Sequence, residues 1–228
     1  MFVAVLIGVL GTLVVILSTR AVVSAPARRN ARAGYLDLCL PLFAQPLKGV
    51  AETGFARVSG HYRGQMFDVQ VVPDSLSLRK LPCLWLLVTL VERLPVAGTF
   101  DVMLRATGSE TFSKFGTLPD QIAVPDGFPE GSTLRTDATG PLPSAALVGR
   151  YMAGLDQARL KEVVVAPTGV RVVWLVEEAD RGRYLLFRDA EMGAVALSGE
   201  VLQPLMDGLC GLWAAVRADA APTLRVVG

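Results

Sequence analysis

One histidine and three cysteines in 228 residues leave this chain little from which to build familiar catalytic chemistry. His61 is the sole imidazole, so any Ser/His or Cys/His pair must include it, and it stands on an expected strand beside Gly60 and Tyr62. A lone histidine there reads as a surface or satisfied polar residue. No CxxC and no Cys/His cluster occurs, so no local spacing points to a metal site. Cys39, Cys83 and Cys210 are odd in number, far apart and set among apolar neighbours, which suits free thiols in a reducing compartment. Phosphate cradles of the GxGxxG or GxxxxGKS/T kind are missing, and so is a GxSxG elbow. Gly208 and Gly211 fall inside an expected helix and read as packing residues. No basic and aromatic residues interleave in the way that single-stranded nucleic acid needs. The expectation is a non-catalytic chain with no cofactor, no metal and no nucleic-acid partner.

Negative charge is missing from the N-terminal stretch. Residues 1–32 hold four arginines and no acid, and the rest of the chain has a net charge of −3. The first eighteen residues carry no charged side chain at all. Crossing the hydrocarbon of a bilayer takes roughly 20 apolar residues in a helix, a length that residues 1–23 reach. The lipid-facing residues are then Phe2, Val5, Leu6, Val9, Leu10, Leu13, Val14, Ile16 and Leu17. A cleavable signal would have a basic residue before a shorter apolar core, and a buried soluble helix would show a polar side. Arg20, Arg28, Arg29 and Arg32 all follow the span and would meet the headgroups. The positive-inside rule then leaves the N-terminus outside and the rest of the chain in the cytoplasm, at the inner (plasma) membrane of a bacterial cell.

After the anchor, residues 24–47 read as a juxtamembrane linker with a short apolar segment, Tyr35 to Pro46, too short to cross the membrane. Residues 48–217 read as one α+β domain of mainly antiparallel strands with two or three helices, followed by a tail at 218–228. Five prolines between 118 and 143 suggest a seam between lobes 48–117 and 133–217. Period-two patterning predicts a hairpin of 55–62 and 66–72 around Arg63-Gly64-Gln65, then a turn at Pro73-Asp74 into a strand at 75–78. Further strands are expected at 83–91, 98–105 and 133–136. A second hairpin joins 162–166 to 170–176 through Pro167-Thr168-Gly169, and Arg183–Arg188 makes one more strand. Helical spacing predicts 144–155, capped by Ser144, and an amphipathic helix from Ser198 to about Arg217.

The remaining candidates are few. Arg79, or Arg135 near Asp137, has the guanidinium to grip a carboxylate or phosphate, although an edge charge is the more ordinary explanation. Glu177, Glu178 and Asp180 read as a solvated turn. Trp85, Trp174 and Trp213 lie on the most apolar elements as core or interface anchors. A tethered, apolar, catalytically silent domain points to contact as its business. The expected role is an accessory, scaffold or assembly subunit of a larger membrane complex, energy-converting or transport-related, with lipids and integral membrane proteins as partners. The alternatives are a tethered enzyme with an unread active site and a lipid-interface sensor.

Overall fold

Strand residues in this chain alternate with a period of two, and the pleat converts that alternation into two chemically different faces. The computed structural model describes residues 11–12, 25–74, 81–108, 110–140, 142–187 and 192–220. Most of the expected anchor, Arg20, Arg79, the strand at 75–78 and most of the tail lie outside the described residues. Among the described residues no helix is long and apolar enough to cross a membrane.

Among the described residues, nine strands form one sheet: β1 (Ala44–Val50), β2 (Ala56–Tyr62), β3 (Gln65–Asp74), β4 (Cys83–Leu90), β5 (Phe100–Leu104), β6 (Asp120–Ile122), β7 (Ser132–Thr136), β8 (Leu160–Ala166) and β9 (Gly169–Glu178). Their order is β1-β2-β3-β4-β9-β8-β5-β7-β6, and every neighbouring pair is antiparallel. The β8–β9 hairpin therefore inserts between β4 and β5. Segments 48–117 and 133–217 share this sheet, and β6 comes from the proline-rich stretch between them. Among the described residues, three α-helices follow or interrupt the strands: α1 (Ala145–Ala153), α2 (Arg181–Phe187) and α3 (Gly199–Asp219). The fold is thus mixed α+β on an antiparallel sheet, as the patterning implies.

One face of the sheet is the main core. Phe67, Val69 and Val71 of β3, Leu84, Leu86 and Val88 of β4, and Val102 and Leu104 of β5 all pack there. The apolar side of α3, with Leu202, Leu205, Met206 and Leu209, closes over it. Ser198 accepts a hydrogen bond from the Glu200 amide and starts that helix as expected. Ser144 also precedes a helix, but its side chain makes no cap hydrogen bond. The segment Tyr35–Leu42 belongs to this core. Tyr35, Leu36 and Cys39 are buried, and a 3-10 helix, Asp37–Leu42, delivers the chain into β1.

Two expectations need correction. Pro73-Asp74 is not a turn but the end of β3, where the two residues pair with Leu84 and Cys83. Segment 183–188 is not a strand: its described residues lie in α2, whose Tyr184 amide bonds back to the Asp180 carbonyl. Both flanks of β9 are already taken by β4 and β8, so no adjacent edge exists there for a further strand. Arginine and leucine are good helix formers and take the local alternative.

Both expected hairpins form. At the first, Arg63 and Gly64 have φ of +50° and +80°, the two left-handed residues that a tight hairpin turn requires. At the second, Gly169 has φ of +142°, and a Cβ placed there would stand 2.0 Å from the Leu90 carbonyl oxygen. Gly169→Ala is expected to cost at least the roughly 1–3 kcal/mol of a strained backbone, plus the displacement of β4. Urea denaturation measures it; an unchanged midpoint would contradict the close approach of the hairpin to β4.

Candidate functional site

The second face of the sheet is where the polar half of the alternation goes, and it is not simply a wet surface. Strand register sets Ser59, Asp68, Thr89, Arg171, Val164, Asp101, Arg135 and Gln121 abreast in one row from β2 to β6. Ser59 Oγ and Arg57 Nε both donate to Asp68 Oδ1, at 2.9 and 2.7 Å. Arg171 Nε donates to Thr89 Oγ1 at 3.0 Å. Asp101 stands further along that row, and Glu162 is its diagonal neighbour on β8.

A strap made of residues 105–108 and 110–118 crosses this face and is fastened at four points. Lys161 is enclosed, and its ammonium donates to the carbonyls of Leu104 and Arg105 and to Glu110 Oε1, at 3.0, 2.9 and 2.8 Å. Three N–H donors meet three acceptors, so this lysine is a fastening and not a free base. Phe112 packs on Trp85, ring centres 5.5 Å apart, beside Leu87 and Val173. Ser113 Oγ donates to Glu162 Oε1 in a short contact and accepts from the Phe115 amide at 2.9 Å. Phe115 in turn lies under the guanidinium of Arg135, 5.8 Å from its ring centre.

Between the strap and the ends of β4, β8 and β9 a cleft of about 420 Å³ remains. Thr89, Asp101, Ser113, Glu162, Thr168 and Arg171 are among its lining residues. Asp101 is 3% exposed and Glu162 1%. Each keeps one buried carboxyl oxygen, Asp101 Oδ1 and Glu162 Oε2, with no hydrogen-bond partner among the described residues. Burial pushes the Asp101 carboxyl far above the ordinary carboxylate range; the neighbouring Glu162 charge adds to the push, and Arg171 offsets only part of it. Burial also raises Glu162, outweighing the Ser113 hydrogen bond and the charges of Arg171 and Lys161. Glu110 goes the other way. Burial alone would raise it, but hydrogen bonds from Lys161 and Thr107 hold its carboxyl at about 2.

No family model, curated protein or solved structure matches the chain. The geometry of the cleft is therefore the sole guide to its chemistry.

The structure does not bring the sequence-chosen residues together. His61 is exposed on β2, in register with Ala44 and Met66, and does not line this cleft. Arg135 lies on Phe115, while Asp137 accepts from the Thr99 amide at 2.6 Å, so the two do not form one grip. Glu177 sits within β9 rather than in a loop, and its Oε2 accepts from the Gly193 amide at 2.9 Å. Arg32 has its guanidinium 5.2 Å from the Phe55 ring centre, against the domain. Trp85 and Trp174, each 8% exposed, are inside the chain on opposite faces of the sheet. Trp213 is half-buried, donates to the Glu92 carbonyl at 3.3 Å and carries Arg217 on its ring. Cys39 is buried and donates to the Leu197 carbonyl; Cys83 and Cys210 are half-buried, and none of the three is in a disulfide.

Sequence reasoning passed over Asp101 and Glu162. The signal was present, since each is a carboxylate inside a run of valine, methionine or leucine that otherwise reads as strand. A period-two strand normally turns such a residue to water. Only the strap, far off in sequence from Glu162, makes it a buried one.

Proposed function

We propose that this protein is a membrane-anchored, non-catalytic accessory or assembly subunit of a larger membrane complex, with its domain in the cytoplasm and the cleft as its recognition site. The observation that carries the recognition site is the carboxyl pair at the cleft floor. Neither acid is needed to form the sheet, and burying them with unpartnered oxygens costs stability, the trade expected where a group is kept for binding. The apolar opening stretch and the arginines after it support the tether. Leu38, Leu47 and Val50, all exposed on the segment that enters the sheet, offer further apolar contact close to that tether. Trp213 with Arg217 offers another surface of the amphipathic kind that interfaces favour.

The test is native-level expression of the full chain, mild detergent extraction and mass measurement of what is recovered intact. Wild type is expected in a complex larger than itself. Asp101→Asn with Glu162→Gln should stay in the membrane fraction but leave that complex. A wild-type chain that is strictly monomeric and free of partners sinks the accessory role.

A second reading rests on one contact. Ser113 Oγ lies within hydrogen-bond reach of Glu162, the order of nucleophile and base, with Asp101 a further acid lining the same cleft. A tethered hydrolase would use that order. Labelling of the full chain by a fluorophosphonate, abolished by Ser113→Ala, favours it; no labelling removes it.

A further inference from the structure

The buried oxygens at the cleft floor pose an accounting problem with a chemical answer. A carboxylate accepts but does not donate, so Asp101 Oδ1 and Glu162 Oε2 are two acceptors without a donor among the described residues, on side chains that line the cleft. Their residues are diagonal neighbours on adjacent antiparallel strands and line the same cleft. Protonation of the pair removes part of that demand. So do the N–H groups of a cationic ligand, and the two solutions exclude one another.

We propose that the cleft binds ligands bearing a guanidinium or primary ammonium group, and that each such ligand displaces one proton from the Asp101 and Glu162 carboxyls. The proposal rests on the cleft being the recognition site and names what it recognises. The cavity of about 420 Å³ accommodates a cationic head on a short alkyl stem. A guanidinium presents paired N–H donors that match carboxyl oxygens side by side. The proton leaves to solvent, and no bond is made or broken in the ligand.

The charged groups around the pair have other commitments. On β9, Arg171 donates through Nε to Thr89. On β8, Lys161 is held by Glu110 and by the carbonyls of Leu104, at the end of β5, and Arg105, and Glu110 stays ionised well below neutral pH. On β7, Arg135 lies over Phe115. Lys114 and Asp137 stand among the cleft-lining residues, with Asp137 accepting from the Thr99 amide. The raised affinity of both carboxyls for protons agrees with a proton held on the pair.

The experiment measures the Kd of n-butylguanidine for the full chain in detergent, from pH 5.5 to 7.5, with n-butanol and butyrate as neutral and anionic controls. The guanidine keeps its charge across that range, so a pH slope belongs to the protein. The expected result is binding that tightens about tenfold per pH unit, the slope for one proton released. Neither control should compete with the guanidine. Asp101→Asn should weaken binding and flatten the slope; Glu162→Gln gives the same reading should the first variant fail to fold. A hexapeptide with one internal arginine separates the sources: tighter binding than n-butylguanidine assigns the cation to a partner's side chain, and weaker binding assigns it to a small molecule. Binding with no pH slope overturns the proton exchange. Butyrate or butanol binding in place of the guanidine overturns the cation. Either failure would leave the accessory role standing or falling on recovery of the intact complex, which is measured separately.

Discussion

Lys161→Met is expected to destabilise the domain by about 3–5 kcal/mol, the cost of leaving a buried charge without its partner. The size follows from what the ammonium holds. Both Lys161 and Glu110 have side chains only 7% exposed, and the same nitrogen also satisfies the carbonyls of Leu104 and Arg105. Removing it takes the counter-charge from Glu110, which keeps only its bonds from Thr107 and Gly108, and strands two carbonyl acceptors at the point where the strap leaves β5. Methionine fills a similar volume, so a packing defect does not explain the loss. Urea denaturation measures the effect, and Glu110→Gln adds the control. In a double-mutant cycle the pair of changes should cost much less than the sum of the single ones. Additive costs would mean that the two groups do not act on each other.

Glu110 also predicts how that loss depends on pH. Its folded carboxyl sits at about 2, below the ordinary 4.5, so the unfolded chain binds more protons between those values. Stability from this pair is fully present above about pH 4.5 and is lost as pH falls toward 2. The Lys161→Met variant, already without the pair, should lose less stability over that interval.

The second large effect has the opposite sign. Asp101 and Glu162 titrate above their ordinary range in the folded chain, so the folded state binds more protons than the unfolded one once pH exceeds about 4. Their contribution is therefore best at low pH and declines as pH rises through the raised range. Asp101→Asn removes one of the two acids, and with it the buried charge that the folded chain would have to accept at high pH. Stability at pH 8 should rise by on the order of a few kcal/mol, with little change at pH 4. Thermal unfolding at the two pH values reads this directly. A drop in midpoint at pH 8 would mean that Asp101 is a structural acid with a partner it cannot spare.

Local chemistry made much of the fold legible. Arg63-Gly64 and Pro167-Thr168-Gly169 announce hairpins because few residues adopt those backbone shapes, and Ser198 announces a helix because its hydroxyl reaches an orphan amide. The errors arise where local chemistry is indifferent. Tyr184-Leu185-Leu186 suits strand or helix, and only the occupied flanks of β9 decide. Pro73 sits within β3 although proline more often interrupts a strand. The site was harder for a deeper reason. Asp101 and Glu162 carry no motif, and their burial depends on a strap whose fastenings, Glu110 and Ser113, read as ordinary loop residues.

Insertion of the β8–β9 hairpin between β4 and β5 dictates when this domain can be completed during synthesis. Until residues 160–178 have left the ribosome, β4 lacks its inner neighbour and the two halves of the sheet have nothing to join them. Distant pairings of this sort slow folding and leave apolar strand edges waiting. A nascent chain of this design spends much of its translation as a half-built surface, and holding it beside a bilayer from the outset would determine which neighbours that surface meets first.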